Sequence, residues 1–411
     1  MKRTFLFLAL LSAAMNAAQA QQFDDYFDDR TLRLDYTFSG DSERQELYVD
    51  ELVALPRWYG KRRRLAEVPL KGNGQLTVRT SSDGQVIYRH SFSTLFQEWL
   101  ATEESRRTPR SFENTFLVPF PKQPVDITVE LWDYHMQTTA RLTHSVDPRD
   151  ILIRKAGERL VTPYVTLQQA ADTARCIHIA YVAEGYQQQE MPTFLDDCRT
   201  AMEALFGHEP FKEKRPCFNI VAVMPPSAES GTSWPAQGIW RNTALGSHFD
   251  TFYSDRYLTT LHLKRLHDVL AGTPYEHIII LVNTDHYGGG GIYNSYNLTY
   301  AHGPKFRPVV VHEFGHSFGG LADEYPYGND DPMYFPDTEP WEPNLTTKHD
   351  FSGKWEQLVA EGRAGLVEGG GYLEKGVWRG FENCRMRTNE EPEFCLVCRQ
   401  ALGRMIEFYT E

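Results

Sequence analysis

Beyond its first twenty residues, this 411-residue chain has no stretch long and apolar enough to cross a bilayer. Positive charge is in short supply: 42 Lys and Arg stand against 55 Asp and Glu, a formal net charge of −13. An acidic surface argues against nucleic acid or an anionic membrane as a partner. The G-x-S-x-G spacing at Gly315 to Gly319 falls inside a histidine-bearing helical segment and is not read as the serine elbow of an α/β-hydrolase. No Gly-Lys-Ser/Thr follows the run Gly288 to Gly291, so those glycines are not a phosphate loop. No other Ser or Cys stands out as a nucleophile.

The N-terminus has the parts of a secretory signal peptide. Lys2 and Arg3 precede the apolar run Phe5 to Leu11, and Ala18-Gln19-Ala20 supplies small residues for cleavage. No Cys follows the run, so a lipid anchor is not expected. The mature chain is predicted to start at Gln21 and to be exported, periplasmic or secreted. Loss of Lys2 and Arg3 takes its formal charge from −13 to −15. Its six cysteines, Cys176, Cys198, Cys217, Cys384, Cys395 and Cys398, are then expected to form structural disulfides of undetermined connectivity. Cys395-Leu396-Val397-Cys398 has C-x-x-C spacing, which also suits redox chemistry or half a zinc knuckle. A knuckle wants a fourth ligand close by, and none is visible in the sequence.

Two patterns divide the rest. Residues 21–147 predict an all-β sandwich, with alternating stretches at Asp29 to Phe38, Leu76 to Arg79, Gln85 to Tyr88, Thr115 to Val118 and Val125 to Leu131. The basic run Lys61 to Arg64 reads as a solvated edge or loop rather than a binding patch. Residues 148–175 read as a linker or docking segment. Residues 176–411 turn α/β: strands at Ile177 to Ala183, Phe218 to Met224 and His277 to Asn283, and helices at Met191 to Leu205 and about 255 to 271. His262 and His267 on the latter helix are five apart, the wrong spacing to share a metal, and read as surface or packing residues. Ile292 to Tyr300 is read as a strand, either lining a cleft where it would pair with an extended peptide or forming an ordinary edge.

The strongest signal is Pro308 to Tyr325, P-V-V-V-H-E-F-G-H-S-F-G-G-L-A-D-E-Y. On a helix, His312 and His316 lie one turn apart on one face, with Glu313 beside them. This is H-E-x-x-H, two metal ligands and a general base. Pro308 suits the helix start, and Gly319-Gly320 its end. A catalytic zinc needs a third protein ligand. Asp323 is the first choice, because the glycine turn can fold the chain back toward the metal; Glu324 is the second. Glu313 would activate water, and no covalent intermediate is needed. Tyr325 would either steady the oxyanion or be a buried aromatic.

H-E-F-G-H-S-F-G-G-L-A-D-E-Y resembles the active-site segment of the IgA-peptidase family of bacterial zinc metallo-endopeptidases, and Glu382 to Arg387 resembles that family's downstream segment. The resemblance implies a metzincin-like α/β catalytic domain after an amino-terminal β-domain, and it implies Met386 as the methionine turn beneath the zinc. It departs from the wider metzincin spacing. The third-ligand position counted from Gly319 is Ala322, which cannot bind zinc; counted from Gly320 it is Asp323. The acidic, proline-rich stretch Gly328 to Glu342 offers Asp330, Asp331, Asp337 and Glu339 as oxygen ligands for a second cofactor, calcium. Tyr334, Phe335 and Trp341 would help wall a cleft. The expected function is an exported zinc endopeptidase acting on protein or peptide. The rivals are a non-catalytic peptidase-like scaffold that binds protein or glycan, and a zinc amidase acting on cell-wall substrates.

Overall fold

The computed structural model describes residues 22–326 and 333–411. The expected leader therefore lies outside the described residues, as do Asp330 and Asp331. A short helix α1 (Phe23–Tyr26) leads into β1 (Phe27–Gly40), β2 (Gln45–Leu55), β3 (Gly74–Thr80), β4 (Val86–Phe92), helix α2 (Leu95–Leu100), β5 (Arg110–Pro121), β6 (Val125–Trp132) and β7 (Thr138–Val146). With the two-residue β8 (Arg154–Lys155) they make two four-stranded sheets, ordered β5-β1-β2-β8 and β4-β3-β6-β7. Strand β6 shows why they share one core: Val125, Ile127, Val129 and Leu131 alternate inward, each 1% exposed or less. Strand β2 carries no clean alternation, and β7 alternates through Ala140, Leu142, His144 and Val146, too weakly apolar a set to announce it.

Strand β1 corrects a simple reading of polar alternation. Arg33 and Asp35, on the face that solvent should claim, are fully buried. That face meets the second domain. The Arg33 guanidinium donates from Nε to Asp35 Oδ1 at 2.8 Å and from Nη1 to Asp268 Oδ1 at 2.7 Å. The basic run is likewise mostly engaged. Lys61 is 7% exposed and its ammonium lies over the rings of Tyr88 and Phe408, while Arg62 pairs with Asp29 and Arg63 donates to the Glu411 carbonyl. These residues clamp the two ends of the chain together.

The second region is built on a six-stranded sheet ordered β13-β14-β12-β10-β11-β9. Its strands are β9 (Tyr164–Gln168), β10 (Ile177–Glu184), β11 (Phe218–Val223), β12 (His277–Val282), β13 (Gly289–Ile292) and β14 (Tyr296–Tyr300). The central strands run parallel, and both edge strands run antiparallel to their neighbours. Near-continuous apolar strands such as His277–Val282 are what burial on both faces requires. Ala180, Val182, Ile278 and Ile280 join the core shared with the N-terminal sheets. Ile179, Tyr181, Ile279 and Leu281 face the opposite core, which holds helices α3 (Met191–Leu205) and α5 (Phe306–Ser317).

Helix α4 (Leu263–Leu270) is shorter than the predicted 255–271 segment. The chain ahead of it is held by the buried Glu184 carboxylate, which accepts from Thr243 Oγ1, Leu245 N and Ser247 N at 2.5, 2.7 and 2.8 Å. His267 is buried against the Tyr275 hydroxyl at 2.9 Å, a packing role. A small sheet of β15 (Leu345–Thr346), β16 (Val367–Gly370) and β17 (Leu373–Arg379) follows, then α6 (Glu356–Ala360, between its first two strands) and the C-terminal α7 (Leu396–Thr410). The disulfide expectation fails: all six cysteines are free thiols. Cys198 packs on α3 in the same core as Cys384, Cys395 and Cys398, which gather with Glu324 in one group. Among the described residues, no helix is long and apolar enough to cross a membrane.

Candidate active site

Helix α5 starts at Phe306, two residues before Pro308, and its bonding ends around Ser317. Gly320 then takes φ +58°, a left-handed turn that a residue with a Cβ resists, and sends the chain back across the helix end. Apolar Val309, Val310, Val311 and Phe314 bury the helix in the core, and one partly exposed face carries the histidines.

The turn brings Asp323 to that face. His312 Nε2 and His316 Nε2 are 3.0 Å apart, and they lie 3.1 and 3.3 Å from Asp323 Oδ1. Neighbouring ligand atoms in a tetrahedral zinc site with bonds of ~2.0–2.1 Å are separated by about 3.3 Å. Asp323 Oδ1 is buried and has no hydrogen-bond partner, which is how an atom aimed at a metal position looks. The outer atoms are committed. His312 Nδ1 donates to the Arg385 carbonyl at 3.0 Å and His316 Nδ1 to the Leu321 carbonyl at 2.6 Å. Those bonds leave both Nε2 lone pairs facing inward. The Tyr372 hydroxyl donates to Asp323 Oδ2 at 2.5 Å and aims the remaining oxygen. The donor set therefore fits a divalent cation of zinc type, with room for one more ligand. Of the two carboxylates considered from sequence, Asp323 joins the histidines; Glu324 turns away into the interior.

The electrostatics follow from crowding. Burial lowers the His316 pKa, but the Asp323 and Glu313 charges outweigh it and raise it to about 9. Burial pushes Asp323 up, and the two histidines bring it well below the usual carboxylate range. Burial raises Glu313, against the pull of the histidines.

Glu313 lies beside the sheet edge, and the glycine run explains how. A Cβ on Gly289 would stand 2.5 Å from Glu313 Oε1, and one on Gly291 would stand 2.5 Å from the Glu313 carbonyl oxygen. Those glycines form the terminal strand β13. The predicted 292–300 strand is thereby corrected: Tyr296–Tyr300 is an interior strand with every residue buried, and the edge is Gly289–Ile292. Beneath the helix, Met386 is fully buried, with its Sδ 2.7 Å from where a Gly315 Cβ would be. Its carbonyl accepts from Glu324 N at 2.9 Å.

Several neighbours are invisible in sequence because long-range folding brings them in. Glu98, on α2 of the N-terminal region, accepts from the Tyr257 hydroxyl. Burial pushes its carboxyl up to about 7, and the charges of His316, Asp323 and Glu313 act on it. Tyr372 comes from the turn between β16 and β17, and Tyr325 packs on its ring at 5.3 Å between centroids. The aromatic stretch proposed as a cleft wall is engaged locally: Phe335 stacks on His135, Tyr334 donates to Glu342, and Trp341 packs on Tyr293. Of the predicted calcium ligands, Glu339 is paired with Lys354 at 3.0 Å and Asp337 is exposed beside His135. Among the described residues these two join no cation-holding group.

Comparison with known families points the same way as the geometry. The family model for IgA Peptidase M64 matches residues 165–366, and that for the Peptidase M64 N-terminus matches 22–143. The chain belongs to the IgA-peptidase M64 family. Its two-part architecture is that of the family, and the family is one of metallopeptidases. No curated protein matches the chain.

Proposed function

We propose that this M64 protein is an exported zinc endopeptidase with a metzincin-like catalytic domain, in which His312, His316 and Asp323 hold the metal and Glu313 is the general base. The observation that carries the reading is the convergence of His312 Nε2, His316 Nε2 and the unpartnered Asp323 Oδ1 at 3.0 to 3.3 Å. A zinc ion held there supplies Lewis-acid polarisation of water and of the scissile carbonyl. Glu313, next to the ligands in sequence and only 9% exposed, takes the proton from the attacking water and returns it to the leaving amine. Burial raises its pKa, which makes it a stronger base than a solvated glutamate.

The terminal strand Gly289–Ile292 supports a peptide rather than a cell-wall substrate. It ends the sheet and touches the base; Gly289 is already bonded to Arg256 and Leu258, so an extended chain would pair beyond it, from Gly291, and lay its backbone across the metal position. The leader read from the sequence supports export. A scaffold without activity is disfavoured because ligands, base and orienting groups are all in place. The reading is tested by casein cleavage before and after chelation. Cleavage lost with the metal and restored by zinc supports it; cleavage indifferent to chelation contradicts it.

A further inference from the structure

A second cluster lies directly behind the first. Cys384, Cys395, Cys398 and Glu324 each offer one atom to a common point, all four atoms within 4.8 Å of one another. Three of these residues are 0% exposed and Cys395 is 7%. Cys384 Sγ lies 3.6 Å from Cys398 Sγ, and Cys398 Sγ lies 3.1 Å from Glu324 Oε1. Neighbouring sulfurs in a tetrahedral zinc site with bonds of ~2.3 Å are about 3.8 Å apart. None of the thiols is bonded to another, and with three present a disulfide would always leave one over.

Two further observations point to a cation. Glu324 Oε2 is buried with no hydrogen-bond partner, although Oε1 accepts from Asn344 Nδ2 at 3.0 Å. A fully buried carboxylate with an unpartnered oxygen is costly unless something positive meets it. The surroundings are also built for an anionic group. Arg379 and Arg385 are 2% and 4% exposed, and among the described residues neither has a buried carboxylate within ion-pair distance. Arg379 instead donates to the carbonyls of Glu368, Gly369 and Phe381, and Arg385 to the Asn389 carbonyl and the His208 ring. Three thiolates, one carboxylate and one divalent cation carry a net charge of about −2, which two buried guanidiniums would balance.

We infer that Glu324, Cys384, Cys395 and Cys398 form a closed, structural zinc site of three sulfurs and one oxygen, separate from the site on α5. Zinc suits it because thiolates select soft or borderline metals, while a four-ligand set leaves no position for water. Loading it releases the thiol protons and forms three Zn–S bonds and one Zn–O bond, with no change of oxidation state. The site joins three segments that carry the active centre. Glu324 follows Asp323. Cys384 precedes Arg385, whose carbonyl holds His312, and Met386, whose sulfur backs Gly315. Cys395 and Cys398 open α7. The inference does not rest on the catalytic reading, because a site of this kind would form in an inactive protein too.

The test is zinc content and zinc X-ray absorption on the mature chain and on His312→Ala/His316→Ala, with cobalt substitution of the double variant. About two zinc per parent chain and about one in the double variant are expected, the retained ion surrounded mainly by sulfur. The cobalt form should show an intense thiolate-to-metal charge-transfer band. One zinc in both proteins with sulfur scattering also supports this site, while removing the metal from the α5 reading. Zinc absent from the double variant, a retained ion with nitrogen and oxygen ligands only, or a disulfide among these cysteines found by mass spectrometry would each overturn the inference. Because the double variant leaves the thiol cluster intact, misfolding of cysteine variants does not affect the outcome.

Discussion

The two clusters on either side of the Asp323–Glu324 peptide bond use adjacent carboxylates for opposite purposes. The α5 cluster has two imidazoles and one carboxylate, partly exposed, and keeps a position for substrate. The cysteine cluster is buried, takes its ligands from three segments, and is closed. In the proposed reading one is arranged for chemistry and the other for holding chain segments together, and burial and ligand number distinguish them better than distance does. The neighbouring side chains of Asp323 and Glu324 reach different clusters after the Gly320 turn.

That division predicts different failures. Cys395→Ser/Cys398→Ser should destabilise the fold, on the order of 5 kcal/mol or more, since structural metal binding is folding energy. His312→Ala/His316→Ala should abolish cleavage with a much smaller loss of stability. Thermal unfolding of the two variants measures this; equal losses would dissolve the distinction between a structural and a catalytic site.

The domain seam sharpens the contrast, because it is held by neither cluster. His277 lines its cavity with His90, Lys61's partner ring Tyr88, and Glu276. Burial is the main cause that pushes the His277 pKa down, to about 3. The folded pKa lies below the unfolded value of ~6.5, so the unfolded chain binds the extra proton in between and this histidine costs stability as pH falls through that window. Relative to His277→Gln, the parent should therefore lose roughly 3 kcal/mol between about pH 6.5 and about pH 4. Denaturant unfolding of both proteins across that range would show it; a difference independent of pH would contradict it.

The smallest effect is expected at Tyr372, which touches only the outer oxygen of Asp323 at 2.5 Å. Tyr372→Phe should lower kcat/KM about tenfold by loosening the carboxylate, with the zinc affinity weakened and the cysteine cluster unchanged. Steady-state cleavage and zinc titration would measure it, and an unaltered rate would remove Tyr372 from the positioning role.

What is legible in the sequence follows the same line. The α5 site is largely local: the H-E-x-x-H spacing places the histidines on one face, and Gly319-Gly320 marks the turn that returns Asp323. The cysteine cluster is hidden, because Glu324 reaches Cys384 and α7 only through the fold, and export makes disulfides the natural expectation. The strands of 21–147 with strongly apolar alternation are legible; β2, which does not alternate, and β7, whose inward set is weakly apolar, are not. Arg33 and Asp35 mislead, because polar alternation looks the same whether a face meets solvent or another domain. The orienting partners of the site, Tyr372 and the Arg385 carbonyl, and the nearby Glu98 come from distant segments and carry no signal of their own.

The most direct measurement of the central claim is casein cleavage by Glu313→Ala beside the parent at equal zinc content. The account predicts that zinc stays bound while the rate falls by roughly 10²–10⁴ or more, as loss of a general base requires. A variant that keeps its zinc and cleaves at the parental rate would contradict it.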